Sequence, residues 1–288
     1  MSQTVDYRRF IPELLPRENP FSGPHGRIPR ELVGREAQLE SITDTFNGLE
    51  SRRFATGDTF VGPRGIGKSA LLTLAKKETE RRGWILIEIA PTPIRDFEEI
   101  CYNAIRRALN EAGRFAMGLR VRPLLPSLSY KRHVPVVGGD VEITGSTSVS
   151  RLRPHLDSAM RKLRKVAIQQ AVPIVVLVDE VDLLSPTDGE VVFKTLVEPA
   201  ARADEPITLL AAGSTFRGLL GLRAMSTFPT HLTRSIGLGF LNNDEALEVL
   251  QKTALQAYVE WEGDSIRSLA SQCIGRPLVN PERRTRSL

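Results

Sequence analysis

The stretch Gly62-Pro63-Arg64-Gly65-Ile66-Gly67-Lys68-Ser69 matches the pattern G-x-x-x-x-G-K-[ST] in full and constrains the chain more than any other feature. The pattern works where a strand ends and a helix begins. Both flanks are present: Asp58 to Val61 reads as a short strand, and Ala70-Leu71-Leu72-Thr73-Leu74-Ala75 opens an apolar helical run. A loop that aims backbone N–H groups inward at a helix N-terminus holds phosphate oxygens without bulky side chains, and glycines let the backbone approach closely. This Walker A loop predicts a nucleotide site formed by Gly62, Pro63, Arg64, Gly65, Ile66, Gly67, Lys68, Ser69 and Ala70. Lys68 reaches the β- and γ-phosphates of ATP as a point charge, and the Ser69 hydroxyl ligates Mg2+. The plain structural alternative is a Gly-rich turn before an ordinary helix.

A second stretch, Ile174-Val175-Val176-Leu177-Val178-Asp179-Glu180, is a β-branched run that follows Pro173 and ends on two carboxylates. It reads as a buried central strand. Two acids at a buried strand end are costly unless charge compensates them, and a Mg2+–nucleotide complex supplies that charge. As a Walker B strand it assigns Asp179 to Mg2+, through water or directly, and Glu180 to the water that attacks the γ-phosphate. Asp182 is the runner-up carboxylate; its offset from the strand favours a cap for the following segment.

The surrounding pattern alternates strands and helices. Ile85 to Ala90 and Ile207 to Gly213 read as further buried strands, and Thr233 to Leu238 as a fifth. Helices are expected to about Arg82 after the loop, from Asp96 (as N-cap) to Ala112, from Val191 to Ala203, from an Asn243 N-cap onward, and from Ser265 to Cys273. The fold class is therefore α/β: a P-loop NTPase three-layer sandwich with a mainly parallel five-stranded sheet, followed by a short helical lid. With 288 residues, 41% of them hydrophobic and 25% charged, the chain has enough apolar material for one large domain or a core with a small companion. Residues 1–31, with Pro12, Pro16, Pro20, Pro24 and Pro29, read as an extended strap; 32–240 as the core; 241–288 as a partial lid and basic tail. No apolar run approaches a membrane span and Met1 to Phe10 is too polar for a signal peptide, so the expectation is a cytoplasmic protein without a membrane partner. Cys101 and Cys273 have no C-x-x-C partner and read as core thiols.

An insert at about 113–152 breaks the rhythm with Pro123, Pro126, Pro135 and Gly138-Gly139. From Arg114 to Lys165 there are eleven Lys/Arg against three acids, so a segment of +8 sits in a chain of net charge +5. Such a concentration suits DNA or an acidic partner. The bland reading stays open: Leu156, Met160, Leu163 and Ala167 form an apolar stripe, which leaves Arg161, Lys162, Arg164 and Lys165 largely on the solvated side of a helix.

Ahead of the loop, Leu32-Val33-Gly34-Arg35-Glu36 precedes an amphipathic helix with Leu39, Ile42, Phe46 and Leu49 inward. Together with the two phosphate motifs, this box resembles the entry motif of AAA+ and STAND-type ATPases, particularly the Orc1/Cdc6 group. The resemblance implies that Val33 and Gly34 line the base, with Arg35 and Glu36 tying the strap down; a helix start with Glu36 in its first turn is the alternative. It further implies a sensor 1 at Ser214, with Thr215 close behind; a cap for a helix at Phe216 is the equal alternative for Ser214. Arg234, with Arg223 behind it, is implied as a finger on a neighbouring subunit's γ-phosphate in a homo-oligomer. Arg276, in Gly275-Arg276-Pro277, loosely fits a sensor 2. The winged helix that Orc1/Cdc6 proteins carry after the lid has no counterpart in these 288 residues.

The function expected is ATP binding, with Mg2+-dependent hydrolysis coupled to conformational change or assembly. Two other readings stay open: a DNA-associated loader or transposition-helper ATPase, and a nucleotide-dependent signalling or defence switch with little turnover.

Overall fold

The computed structural model describes residues 33–92, 96–117, 153–214, 233–256 and 265–272. The strap, nearly all of the insert, Thr215, Arg223, Arg276 and the basic tail lie outside the described residues. Five strands, β1 (Gly57–Val61), β2 (Ile85–Ile89), β3 (Ile174–Val178), β4 (Ile207–Gly213) and β5 (Thr233–Gly237), form one all-parallel sheet in the order β2-β3-β4-β1-β5. Both motif strands are internal: β1 lies between β4 and β5, and β3 between β2 and β4. Every residue of β1, β3 and β4 is buried, which is why these strands read as continuous apolar runs.

Alternation along the strands divides the core in two. Val175 and Leu177 pack with Leu210 and Ala212 against α1 (Glu36–Glu50) and α2 (Lys68–Arg81). Val176 and Val178 face α3 (Phe97–Met117) and α4 (Arg153–Gln170) on the other side. Helix α1 has no side-chain N-cap bond, but it buries Ile42, Phe46 and Leu49. A cap contributes about 1 kcal/mol and each such buried side chain roughly 1.5–3 kcal/mol, so packing holds this helix. Asp96 is the expected N-cap of α3, accepting from the Glu98 N–H at 2.9 Å. Cys101 is fully buried, with its thiol pushed up by that burial, as a core thiol should be.

Three expectations are corrected. The helix expected from Val191 starts earlier, at a Ser185/Asp188 capping box, as α5 (Pro186–Glu190); it continues through a π-helical stretch (Val191–Val197) into α6 (Glu198–Arg202). Pro199 has no N–H to give, and the turn before it widens so that the Glu198 N–H reaches the Phe193 carbonyl. Helix α7 (Asn243–Gln256) is capped one residue earlier than expected, by Asn242, whose Oδ1 accepts from the Glu245 N–H at 2.9 Å while Glu245 Oε2 accepts from the Asn242 N–H at 2.7 Å. On α4, Arg161, Lys162 and Lys165 are exposed, whereas Arg164 forms a two-bond pair with Glu205 (2.6 and 2.6 Å) and donates to the Pro199 carbonyl at 3.2 Å. Helices α7 and α8 (Ser265–Gln272) share a small core of Ala246, Leu250, Ile266 and Ala270. Among the described residues no helix is long and apolar enough to cross a membrane.

Candidate nucleotide-binding site

Two backbone bonds fix where the loop leaves the sheet. The Gly62 N–H donates to the Gly213 carbonyl at the end of β4 (3.2 Å), and the Leu238 N–H donates to the Val61 carbonyl (2.7 Å). A Cβ on Gly62 would lie 2.8 Å from the Leu238 carbonyl oxygen, so close approach requires glycine there. Gly65 and Gly67 serve a different purpose. Their φ values, +79° and +101°, are left-handed, yet a Cβ on either would meet nothing within 4 Å. The backbone turn requires glycine, and the space in front of it is open. Gly67 is also the N-cap of α2, with no side-chain capping bond and no acid in the first turn. A 14-residue helix therefore presents uncapped N–H groups at an open glycine mouth, an arrangement suited to phosphate oxygens.

Lys68, the first residue of α2, is buried, and its Nζ donates to the Gly62 and Pro63 carbonyls at 2.7 Å each. Burial pushes its ammonium below the ordinary lysine range. The charges of Asp182, Asp179 and Glu180 pull it back up, and Arg64 pushes it further down. The ammonium is held ready by the loop's own carbonyls, at the mouth where phosphate charge would arrive.

Those carboxylates leave the C-terminal end of β3. Asp179 is partly exposed, and its Oδ1 accepts from the Glu180 N–H at 2.8 Å. Glu180 is exposed, with φ +50° and ψ +47°. A non-glycine residue in that region costs about 1–2 kcal/mol, a strain that collects at functional turns. Asp182 is no cap. Its Oδ1 and Oδ2 accept from the Ser214 N–H at 2.8 and 2.7 Å, and its Oδ2 accepts from the Ser214 hydroxyl. A Cβ on Gly213 would lie 2.5 Å from Asp182 Oδ1, so glycine makes room for the carboxylate. Among the described residues no three His, Cys, Asp or Glu side chains converge to hold a metal by themselves. Mg2+ at a nucleotide needs few protein ligands, because waters and phosphates complete its shell. Exposed Ser69 beside the open cradle, with Asp179 at the end of β3, one strand beyond β4, fits that share.

The entry box closes the site from the side. Val33 is buried. Gly34 has φ +70°, and a Cβ on it would lie 2.8 Å from the Glu245 carboxyl and 2.9 Å from Leu241 Cδ2. Its N–H donates to Glu36 Oε1 at 3.1 Å. Buried Arg35 donates to the carbonyls of Gly34 (2.7 Å), Ile66 (3.2 Å) and Gly239 (2.9 Å). Burial pushes its guanidinium down, and Glu245 and Glu36 pull it back. Arg35 therefore ties three segments together: the box, the loop and the link from β5 to α7.

The profile of the AAA ATPase domain matches residues 31–210, more than half of the chain, and spans the box, the loop and the carboxylate-bearing end of β3. The chain belongs to the AAA ATPase domain family. No curated protein matches it. Among solved structures, the Cdc6p protein of Pyrobaculum aerophilum is similar, with a TM-score of 0.57 at 18% identity, covering 88% of this chain and 57% of that one. The Aeropyrum pernix ORC2 protein in its ADP form aligns with a TM-score of 0.56 at 15% identity (86% and 60% covered). The Aeropyrum pernix ORC1 protein in complex with DNA aligns at 0.52 and 15% (87% and 58% covered). At these identities the likeness is one of fold, and this chain spans less than two thirds of each of those chains.

Within this AAA ATPase domain, the structure brings Lys68, Asp179, Glu180 and Ser214 to one end of the sheet and engages Arg234 elsewhere. Arg234 stands beside Asp58 in the β1–β5 register, and its Nε donates to Asp58 Oδ1 at 3.0 Å. Its NH2 group donates to Ser41 Oγ (3.0 Å) and Thr45 Oγ1 (3.4 Å). The guanidinium expected to project toward a neighbouring subunit is committed instead to the buried Asp58 of its own sheet. Sequence reasoning missed the Asp182–Ser214 pair and the roles of Gly239 and Glu245 around the box. Each joins segments remote in the chain, and no local spacing signals such a contact.

Proposed function

We propose that this AAA ATPase domain binds ATP with Mg2+ in the glycine cradle and hydrolyses it, coupling the cycle to a change in the α7–α8 pair or in assembly. The observation that carries the reading is Lys68: a buried ammonium on two loop carbonyls, next to uncapped helix N–H groups and drawn by three carboxylates. Lys68 exchanges the Gly62 and Pro63 carbonyls for β- and γ-phosphate oxygens, and the α2 N-terminus with the Gly65–Gly67 backbone binds the remaining ones. Val33 and Gly34 flank the base. Ser69 and Asp179 hold Mg2+, which when bound supplies charge neutralisation across the β- and γ-phosphates. Glu180, exposed on its left-handed turn, accepts the proton of the attacking water. Arg35 transmits a shift of Ile66 to Gly239 and so to the start of α7. Calorimetric titration with Mg-ATP tests the reading: Lys68→Ala should lose binding by about a hundredfold or more while keeping its circular dichroism spectrum, and unchanged affinity would falsify the assignment. Phosphate release should persist over many turnovers and stop in Glu180→Gln. Tight binding without turnover in the parent chain would favour the switch reading instead.

A second reading, a DNA-associated ATPase, is favoured by the exposure of Arg161, Lys162 and Lys165 on one helix. Neutralising those three should flatten the salt dependence of DNA binding. Arg164 must be left in place, because its bond pair with Glu205 belongs to the fold.

A further inference from the structure

Asp182 is the carboxylate that the ATPase reading leaves without a task, although its charge acts on Lys68 more strongly than that of Asp179 or Glu180. It sits in the 3-10 turn Val181–Leu183, two residues beyond the strained Glu180, and reaches across to the end of β4. Three bonds join it to Ser214: two from the backbone N–H and one from the hydroxyl. Gly213, against which the carboxylate packs, accepts from the Gly62 N–H at 3.2 Å, and Gly62 in turn accepts from Lys68. A short path of contacts thus runs from Asp182 through the exit of β4 to the root of the phosphate loop.

A serine hydroxyl has one proton to donate. In this structure Ser214 spends it on Asp182. A γ-phosphate oxygen beside β4 can therefore receive a hydrogen bond from Ser214 only by taking that proton away from Asp182. ADP, lacking the γ-phosphate, leaves the pair intact.

We infer that Asp182 is a positioning residue that competes with the γ-phosphate for the Ser214 hydroxyl, and so sets how strongly the site prefers ATP to ADP. The inference rests on the reading that this cradle binds ATP. The Ser214 N–H stays on Asp182 in both states, which keeps the end of β4 in register while the hydroxyl rotates. The competition replaces one charge-assisted bond by another, so the net preference for ATP is smaller than an unopposed sensor contact would give.

The test is the ratio of Mg-ATP to Mg-ADP affinity, which general loosening of the fold does not move. Asp182→Asn keeps an acceptor for the Ser214 N–H but weakens the hold on the hydroxyl, because a neutral acceptor is about half as strong as a carboxylate. The ratio should rise by about five- to tenfold. Ser214→Ala removes the hydroxyl, and in that background Asp182→Asn should leave the ratio unchanged. A rise of equal size in the Ser214→Ala background would mean that Asp182 acts by charge repulsion alone, and would overturn the inference. So would a ratio unmoved by Asp182→Asn with Ser214 present. Parent protein that binds neither nucleotide would instead sink the ATP-binding reading, so the two failures are told apart.

Discussion

The two ends of β1 each carry a buried charge, and they treat it differently. At the N-terminal end Asp58 is fully buried, and its oxygens are accounted for by Ser41 Oγ (2.7 Å) and Arg234 Nε (3.0 Å). At the C-terminal end Lys68 is buried just past the strand, and its bonds go to the carbonyls of the loop that holds it. Gly57 at the closed end and Gly65 and Gly67 at the open end follow the same division. A Cβ on Gly57 would lie 1.9 Å from the Leu209 carbonyl oxygen, whereas one on Gly65 or Gly67 would meet nothing within 4 Å. One end is closed around its charge and serves the fold; the other keeps space and donors open and serves a ligand. Burial and charge look alike at both ends, and it is the satisfaction of the partners that separates structure from site.

If the comparison holds, substitutions at the closed end should cost stability and those at the open end should cost binding. The largest effect belongs to Gly57→Ala. The added methyl also meets Leu209 C at 2.7 Å and Thr208 Oγ1 at 2.8 Å, so β1 and β4 must part. Urea denaturation should show a loss of more than about 3 kcal/mol; a loss under about 1 kcal/mol would mean that this end is not closed. Next comes Arg234→Ala, at about 1–3 kcal/mol near neutral pH, discounted because the guanidinium is half exposed. Its pH dependence has a definite sign. Burial pushes the Asp58 carboxyl above its ordinary 3.8, while Ser41 and Arg234 pull it back. An acid with a raised folded pKa binds its proton more tightly when folded, so stability falls as pH rises through the interval above about 3.8. Removing Arg234 raises that pKa further. The destabilisation should therefore shrink toward pH 4, and a loss that stays constant across that range would show that Asp58 is not its source.

Gly67→Ala marks the crossing from one end to the other. Its φ of +101° penalises any side chain by about 1–2 kcal/mol, but no atom stands in the way. Stability should fall by that amount alone, while Mg-ATP affinity falls at least about tenfold because the methyl enters the phosphate space. A variant that loses stability yet binds as the parent does would separate the loop from the ligand.

What could be read from the sequence divides along similar lines. The loop, the Asp179-Glu180 strand and the α/β alternation of five strands with helices were legible because each is written in contiguous residues: a motif, an apolar run, a period. Asn242 was missed in favour of its neighbour because two asparagines in a row offer the same cap chemistry. The contacts of Asp182 with Ser214, of Arg35 with Gly239 and of Arg234 with Asp58 span 32, 204 and 176 residues. They exist because parallel strands distant in sequence end side by side. Arg234 shows the cost of that blindness, since an arginine near a strand start carries no mark of the buried acid beside it.

The smallest stability change, and the sharpest test, is Lys68→Met. Two terms oppose each other. The buried ammonium loses hydration, as its depressed pKa records, and a thioether of similar length does not. Against this, the Gly62 and Pro63 carbonyls lose their donor, at about 1 kcal/mol for each bond that water does not replace. Pro63 is exposed and Gly62 is buried, so one bond of the two is lost in full. The terms nearly cancel, and the denaturation midpoint should shift by no more than about 1 kcal/mol in either direction, with nucleotide binding lost. A loss of 3 kcal/mol or more would place Lys68 in the same class as Asp58, a charge kept for the fold, and would erase the distinction between the two ends of β1.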